Sequence, residues 1–521
     1  MGNMLVAGDE SEAPEVTYPL ERSGWYEISV GVYRKPFEEP KEVQVRLSDD
    51  SAFTTLAGRF GEKDHQENYI DDVYWKTANL SGRRIVLRQI VIPEVRQAWI
   101  AYIKLVPLSP AEIRALEQDR SRADTKRLFV HTDAHFPNVT GSALELRNHI
   151  EPLRDTDVAR IYWEAGAGDT AHYFSKIAQA GAGTRSETED LSEAFFPRKI
   201  DREWAETWAA YRRNDVDPLR IAAEFARECG LEIHASYRAG GFHYMPPHDI
   251  RRGSFYARHP ELRCVSRGGQ PVPRISYAFP ETRRYVVSLF REMAQYPIDG
   301  VCVLYNRRPP LVAYEPPLVD GFRGRYGEDP RKLGESDSRW LEYRCVALTA
   351  FMRELRQALD EEAEKQGREQ RFEISAVVSR HEENLQHGMD LAAWIRDDLV
   401  DTLIPYSSSI RLHSSVPSWE SVDDFAPFLE LVRDTQCQLA LNLMPRDIAA
   451  EEYRRKAHFM YDAGVTNFFF WDGISRVRKA LRLGHRNEVE AWVNAGEPAL
   501  VPDATRLTRL AGWDLGWETP G

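Results

Sequence analysis

The chain has 521 residues, more than one ordinary domain uses, and 42% of them are hydrophobic, enough for a large core. Its formal net charge of −13 argues against nucleic acid and anionic membranes as main partners, because both bind basic surfaces. The five cysteines are scattered without a CxxC pair, which argues against a disulfide framework and a structural zinc site.

The first part of the chain has the pattern of a small all-β domain. Residues 1–14 are polar and acidic and are predicted to form a flexible tail. Over residues 15–110, short stretches alternate apolar with polar side chains, and turn-forming residues separate them. This pattern is typical of a β-sandwich. A charged helical linker is predicted over residues 111–126.

From residue 127 to residue 521, short apolar runs alternate with amphipathic helices. Apolar strands flanked by helices indicate a parallel sheet that is buried on both faces, and eight such units predict a closed (β/α)8 barrel. The eight runs are Leu128–Thr132, Ala159–Trp163, Leu231–Tyr237, Gly300–Tyr305, Phe372–Val378, Thr402–Tyr406, Leu439–Met444 and Phe468–Trp471. An open doubly wound sheet is the alternative, but no glycine-rich phosphate loop follows any run. The predicted fold class is α/β, a TIM barrel preceded by a β-sandwich.

Polar and aromatic side chains collect where the predicted barrel strands end. Barrel enzymes carry their catalytic groups at the carboxyl ends of the strands, so these residues are candidates for the site. They are Asp133, His135, Glu164, Tyr237, Arg238, His243, Arg307, Tyr406, Asn442 and Trp471. Carboxylates and imidazoles can transfer protons, arginines hold anions, and Trp and Tyr stack on sugar faces. The sequence therefore predicts an enzyme that acts on carbohydrate.

A metal site is the alternative interpretation of the first strand end. His131, Asp133 and His135 alternate, and alternate residues of a strand point to one face, so all three could bind a metal ion. Acid–base chemistry without a metal is favoured, because no HExxH motif or cluster with zinc spacing occurs. No GxSxG motif occurs either, which disfavours a serine hydrolase. No cofactor is predicted.

The run Arg238-Ala239-Gly240-Gly241-Phe242-His243 after a strand, together with Asp133 and Arg307 or Arg308, resembles the sialidases of glycoside hydrolase family 156. The wider barrel is similar to family 10-like glycosyl hydrolases of unassigned activity. The resemblance covers the chain from about Arg127 to the end. In the family the barrel comes first, whereas here a β-sandwich precedes it.

The resemblance implies an inverting exo-sialidase that removes terminal 2-linked sialic acid. It implies that His243 protonates the leaving oxygen and that Asp133 activates the attacking water. It also implies that Arg238 and Arg307 hold the carboxylate of the sugar, and that Asn442 contacts the sugar. The arginines suit this role because a guanidinium binds a carboxylate through two parallel hydrogen bonds.

Three other functions stay open. The barrel could cleave another acidic or a neutral glycan through Asp133 and Glu164, or it could be a metal-dependent hydrolase that uses His131, Asp133 and His135. It could also bind carbohydrate without turnover. The expected partner is a glycan, such as a sialoside, and not nucleic acid or a membrane. No run of eighteen apolar residues and no apolar signal segment is found, and the sequence leaves oligomeric state and cellular location open.

Overall fold

The computed structural model divides into two compact units, an N-terminal unit and a barrel unit. The structure describes residues 4–8, 13–34, 41–57, 69–90, 96–134, 138, 140–181, 198–242, 253–307, 309–406, 419–443, 448, 450–473, 482–495 and, for the backbone, 505–509. The N-terminal unit comprises Met1–Asp124, Leu144–Asp155 and Ala495–Gly521, and the barrel unit comprises Thr125–Ala143 and Thr156–Asn494. Within the described residues, no helix is long and apolar enough to cross a membrane.

The N-terminal unit contains two antiparallel sheets that share one apolar core. Its strands are β1 (Leu5–Ala7), β2 (Val16–Pro19), β3 (Trp25–Arg34), β4 (Glu42–Leu47), β5 (Thr54–Ala57), β6 (Tyr69–Asn79), β7 (Arg84–Arg88), β8 (Ala98–Pro107) and, near the end of the chain, β21 (Thr505–Arg509). The strand orders are β1-β8-β3-β6-β21 and β2-β7-β4-β5. Val30 of the first sheet and Val45 of the second lie in the same buried cluster. This arrangement confirms the β-sandwich that the alternating pattern predicts.

Both ends of the chain add a strand to this unit. β1 lies within residues 1–14, which the sequence assigns to a tail, and it pairs with Ala98–Ile100 of β8. β21 lies in the part of the chain that the sequence assigns to the barrel, and it pairs with Tyr69–Val73 of β6. Both strands add to the edge of an existing sheet through backbone hydrogen bonds. Side-chain patterns over three to five residues do not report such pairing.

The barrel unit is built around eight parallel strands that close into a ring. They are β9 (Leu128–Thr132), β10 (Val158–Ala167), β13 (Glu232–Arg238), β16 (Gly300–Leu304), β17 (Glu373–Val378), β18 (Thr402–Pro405), β19 (Gln438–Asn442) and β20 (Asn467–Phe470). Each strand pairs with the next, β20 pairs with β9, and β9 pairs with β10, which closes the barrel. The predicted (β/α)8 barrel is thus confirmed, and each of the eight predicted runs overlaps one of its strands.

Helices and short strands connect these elements. The helices are α1 (Pro110–Arg120), α2 (Ala143–Ile150), α3 (Lys199–Arg213), α4 (Pro218–Glu228), α5 (Ser254–Arg258), α6 (Pro280–Met293), α7 (Pro316–Tyr326), α8 (Ser338–Lys365), α9 (His381–Asn384), α10 (Leu391–Arg396), α11 (Ala426–Val432), α12 (Ala450–Asp462) and α13 (Arg486–Ala495). The short strands are β11 (Thr170–Ala171), β12 (Gln179–Ala180), β14 (Arg263–Val265) and β15 (Pro271–Ile275).

The interior of the barrel is packed with side chains from alternate strand positions. Phe129, Tyr162, Leu304, Val377 and Phe469 all belong to one buried cluster. Because the eight strands run in the same direction, their carboxyl ends meet above this cluster at one rim. Side chains that point inward just beyond the apolar positions therefore converge on one small area.

Candidate active site

Arg238 joins two carboxylates at the rim of the barrel. It is the last residue of β13, and β10, next to β13, contributes Glu164. The Nε of Arg238 lies 2.5 Å from Oε2 of Glu164, and its Nη2 lies 2.7 Å from Oδ1 of Asp133, which follows β9. One guanidinium therefore links the ends of three neighbouring strands. Its planar shape fixes where both carboxylates lie.

The two carboxylates have different access to solvent. The side chain of Asp133 is 30% exposed, whereas that of Glu164 is fully covered. Burial raises the pKa of Glu164 to about 8, although the nearby charge of Arg238 acts in the opposite direction. His172, which directly follows β11, places its Nδ1 3.6 Å from Oε1 of Glu164. Asp133 is therefore the carboxylate of this pair that a ligand can reach.

Arg307 is a second guanidinium at the rim, and it forms no ion pair with a carboxylate of the described residues. It follows β16 and lies over the ring of Trp471 at 4.6 Å from the ring centre. Within the described part of the chain, this side chain has neither an ion pair nor a hydrogen bond. Burial and the neighbouring charge of Arg238 lower its pKa, whereas Asp133 opposes that shift. Arg307 is therefore a mostly covered cation that is in direct contact with no anion of the described residues.

Aromatic rings form one wall beside these charges. Trp471 follows β20 and stacks on His131 of β9, with ring centres 4.2 Å apart. The ring of Tyr406, which follows β18, lies 5.3 Å from that of Trp471. The Nδ1 of His131 is 3.5 Å from Oδ1 of Asp133, and its Nε2 is 3.4 Å from Oγ of Ser236. Trp471 thus has His131 on one side and Arg307 in contact with its ring.

Three of these side chains could hold a metal ion. His131, Asp133 and Asp472 each offer one ligand atom, and the three atoms lie within 4.8 Å of one another. A ring nitrogen with two carboxylate oxygens suits a divalent transition metal. The predicted third ligand, His135, lies outside the described residues. Arg238 is already 2.7 Å from one oxygen of Asp133, and its positive charge works against a cation at that position.

The structure brings together most of the described residues that the sequence predicts for the site. Asp133, Glu164, Arg238, Arg307, Tyr406 and Trp471 form the cluster above. Asn442 ends β19 at the same rim, where its Oδ1 accepts a hydrogen bond from Nε1 of Trp419 at 3.1 Å. His243 and Arg308, like His135, lie outside the described residues.

Tyr237 does not join the cluster. Its side chain is buried, its hydroxyl donates to the carbonyl oxygen of Gly168, and its ring packs edge-on against Phe290 of α6. Successive residues of a strand point to opposite faces, so a strand that directs Arg238 inward directs Tyr237 to the helices. Predicting Tyr237 as a substrate-binding residue overlooked this alternation.

Two residues at the cluster escaped prediction as site residues. Asp472 directly follows Trp471, and the closure of the barrel brings β20 beside β9. The sequence places Asp472 at the end of the last predicted strand, but it was not chosen as a site residue. His172 reaches Glu164 because the chain folds back from β10 into β11, and no sequence pattern indicates this return.

The comparisons with known proteins find distant similarities to solved structures. No protein-family model matches the chain, and no curated protein matches it. Among solved structures, it resembles the PgaB (BpsB) glycoside hydrolase domain from Bordetella bronchiseptica, with 13% identity over 71% of this chain and 99% of that chain and a TM-score of 0.43. It also resembles α-L-fucosidase isoenzyme 2 from Paenibacillus thiaminolyticus, with 12% identity over 71% of this chain and 50% of that chain and a TM-score of 0.43.

An old yellow enzyme homologue from Zymomonas mobilis is a further match, with 11% identity over 66% of this chain and 84% of that chain and a TM-score of 0.34. Likenesses this distant occur among proteins with different activities. They support no argument about what this chain does, and the function has to be inferred from the site.

Proposed function

We propose that the chain is a glycoside hydrolase that acts on glycans bearing a carboxylate, with terminal sialic acid as the specific substrate. The observation on which this rests is the guanidinium of Arg307. It is largely covered at the barrel rim and, among the described residues, has no anionic partner. A covered cation without a partner is unfavourable, so such a group is expected where a bound anion completes the pair.

The surroundings of Arg307 favour a carboxylate on a sugar over an isolated anion. Arg307 lies over the ring of Trp471, and the ring of Tyr406 lies beside that of Trp471, so a carboxylate bound by Arg307 would lie next to an aromatic, apolar wall. In a sialoside the carboxylate is attached to the anomeric carbon. A sugar held by Arg307 would therefore bring its reacting carbon close to the charged cluster.

Asp133 is the residue we assign as the general base. Its side chain is partly exposed, and Arg238 holds one of its oxygens at 2.7 Å. Glu164 is fully covered and binds the same guanidinium, so we assign it a positioning role. In this assignment Glu164 fixes Arg238, and Arg238 in turn fixes Asp133.

The resemblance supplies the general acid, His243. The carbon–oxygen bond to the leaving group breaks as water adds to the anomeric carbon. His243 gives a proton to the leaving oxygen, and Asp133 takes a proton from the water. The products are an alcohol and a free sugar of inverted configuration. An imidazole is suited to donate this proton near pH 6 to 7.

The test is release of free sialic acid from a 2-linked sialoside at mildly acidic pH. We would compare the wild type with Asp133→Asn, His243→Ala and the control Asp320→Asn, which makes the same change on an exposed carboxylate. We expect kcat to fall at least 100-fold in the first two variants and to stay unchanged in the control. Proton NMR of the first-formed anomer then reports inversion.

Two results would contradict the proposal. A folded wild-type protein that releases no sialic acid would remove sialosides as substrates, and other acidic glycosides would follow. Turnover by Asp133→Asn at the wild-type rate would remove the assigned base. Retained anomeric configuration would point instead to a pair of carboxylates, with Glu164 as the partner of Asp133.

A metal-dependent hydrolase is the second candidate function. It is favoured by the placement of His131, Asp133 and Asp472, whose ligand atoms lie within 4.8 Å of one another. Loss of activity in a chelator, with recovery on adding zinc or manganese, would support it. Full activity after dialysis against the chelator would exclude it.

A further inference from the structure

Two buried side chains at the carboxyl ends of neighbouring strands have polar atoms with no partner among the described residues. Asn306 follows β16 and Ser379 follows β17, and each is only 1% exposed. Within the described residues, neither the Oδ1 nor the Nδ2 of Asn306 has a hydrogen-bond partner, and the same holds for the Oγ of Ser379. The backbone of Ser379 is held in place, because its N–H donates to Oδ1 of Asn384 and its carbonyl oxygen accepts from Nδ2 of that residue.

The strand register places both residues at the same rim of the barrel. Leu304 is opposite Val377 in the pairing of β16 with β17, and both belong to the buried cluster of the interior. Asn306 and Ser379 each follow two residues later, just beyond the ends of β16 and β17, so both lie at the carboxyl-terminal rim. The intervening Tyr305 packs against Trp394 of α10.

An unpartnered buried polar group is unfavourable for folding, and most native proteins avoid it. Two such groups on adjacent strands, at the rim that carries Arg307 and Trp471, are difficult to explain as packing alone. The amide offers one donor group and one acceptor, and the hydroxyl offers both, with no charge on either. Such a pair matches an uncharged substituent that can both donate and accept hydrogen bonds.

We infer that Asn306 and Ser379 form a subsite that binds a hydroxyl or acylamino substituent of the same sugar whose carboxylate Arg307 binds. Asn306 and Arg307 are consecutive, so their Cα atoms are about 3.8 Å apart, and one sugar can contact both. The inference rests on the proposed function. It adds to that function a way to distinguish sugars that share a carboxylate and differ in their neutral substituents.

The experiment measures kcat/KM for an aryl N-acetylneuraminoside and for analogues that each lack one hydroxyl or carry hydroxyl in place of the acetamido group. The enzymes are the wild type, Asn306→Leu, Ser379→Ala and Thr282→Val. Thr282, on α6, is the matched control, because its buried Oγ1 also has no partner among the described residues but lies outside the site.

We expect kcat/KM for the complete substrate to fall about tenfold in Asn306→Leu and by less in Ser379→Ala. The wild type should have a lower kcat/KM for each analogue than for the complete substrate. In each variant, the analogue that lacks the group bound by the replaced residue should be cleaved about as well as the complete substrate. Thr282→Val should keep the wild-type preference among the analogues. A reduced rate without a changed preference would indicate a structural role only and would overturn the inference.

A second readout does not depend on turnover. Replacing an unpartnered buried amide with an apolar side chain of similar shape removes an unfavourable group, so ligand-free Asn306→Leu should melt at or above the wild-type temperature. Free N-acetylneuraminic acid should raise the melting temperature of the wild type and of Thr282→Val, and should raise it less in Asn306→Leu. If Asn306→Leu does not fold, Asn306→Ala and Ser379→Ala are measured in the same way.

The outcomes separate the two proposals. Wild-type protein that neither cleaves a sialoside nor is stabilised by the free sugar overturns the proposed function, and the subsite with it. An active wild type with unchanged preference and unchanged ligand stabilisation in both subsite variants overturns the subsite alone.

Discussion

At the residue scale, the guanidinium of Arg307 lies over Trp471 without a carboxylate of the described chain beside it. Lysine in its place would keep the charge but lose the planar fork and the stacking on the ring. We therefore predict that Arg307→Lys raises KM for a carboxylate-bearing glycoside about 10- to 100-fold and changes kcat less. Steady-state kinetics on the sialoside measure both constants.

The control for this variant is Arg284→Lys, which makes the same change on an exposed residue of α6 that pairs with Glu281. Its KM should equal that of the wild type. An Arg307→Lys enzyme with the wild-type KM would show that this guanidinium does not bind the carboxylate.

Glu164 gives a prediction on pH and stability. Its pKa is raised from an ordinary 4.5 to about 8 by burial, so between these values the folded protein holds a proton that the unfolded chain has lost. The stability contributed by this proton is complete below pH 4.5 and is lost as pH rises through 8. We predict that the unfolding free energy of the wild type falls across this window relative to Glu164→Gln, by an amount on the order of a few kcal/mol.

Urea denaturation at pH 5.5 and pH 8 provides the measurement for this difference. Glu335→Gln, a change on an exposed glutamate, serves as the control and should follow the wild type. The same pH dependence in Glu164→Gln as in the wild type would show that Glu164 is ionised in the folded protein at both pH values.

Part of the site could be predicted from the sequence, because barrel enzymes carry their catalytic groups at the carboxyl ends of the strands. Asp133 follows β9, Arg238 ends β13, and Glu164 follows the apolar run Ala159–Trp163 within β10, so all three lie in or just after the carboxyl-terminal parts of their strands. The bonds between them depend on which strands are neighbours and on side-chain direction. For that reason the sharing of Arg238 by two carboxylates, and the contact of His172 with Glu164, come only from the structure.

At the element scale, the eight barrel strands were predictable because strands buried on both faces are nearly continuous apolar runs. The edge strands β1 and β21 were not. Their side chains follow no such pattern, and they are strands because a sheet edge offers them backbone hydrogen bonds. Pairing between residues about 430 positions apart along the chain, as for β21 with β6, leaves no local sequence signal.

Asp217 stabilises the N-terminus of helix α4, and its contribution to the unfolding free energy can be measured by mutation. Oδ1 of Asp217 accepts from the N–H groups of Leu219 and Arg220 as the N-cap. Its Oδ2 accepts from the N–H of Phe174 at 3.1 Å and from the hydroxyl of Tyr296 at 2.7 Å. Asp217→Ala would lose the cap and leave a buried tyrosine hydroxyl without its partner. We predict a loss of about 2–4 kcal/mol in unfolding free energy.

Asp337→Ala is the matched control, since Asp337 caps α8 near the surface. It should lose only about 1 kcal/mol, the usual effect of an N-cap. Equal losses in the two variants, measured by chemical denaturation, would show that the bonds of Asp217 to Phe174 and Tyr296 add nothing to stability.

At the scale of the whole molecule, the barrel has two ends with different tasks. The candidate site occupies the carboxyl ends of the strands. At the opposite end, Arg160 of β10 lies across the interior and contacts residues that begin three other strands. Its Nε is 2.8 Å from Oε2 of Glu232, its Nη2 is 2.6 Å from Oε2 of Glu373, and its Nη1 is 3.2 Å from Oγ1 of Thr402. One side chain thus connects β10 with β13, β17 and β18.

Because the two ends of the barrel have different tasks, we predict that a substitution at the base lowers stability and that a substitution at the rim lowers kcat. Arg160→Met removes the shared cation and leaves Glu232 and Glu373 without it. Breaking a buried ion pair costs about 3–5 kcal/mol, and we expect about 3 kcal/mol here because Glu232 is half exposed. At a temperature where the variant stays folded, its kcat should match the wild type. Asp133→Asn should instead lose kcat even at a temperature where the variant is fully folded, because the carboxylate that takes the proton from water is gone.

Calorimetry and sialoside kinetics on both variants measure this contrast. If Arg160→Met lost activity while fully folded, the two ends would be coupled through the strands, and the cluster at the rim would depend on the charge pairs at the base. Unchanged stability in Arg160→Met would mean that packing of the apolar interior alone closes the barrel. The side chains of Phe129 and Phe469, on adjacent strands, would then be the residues to change next.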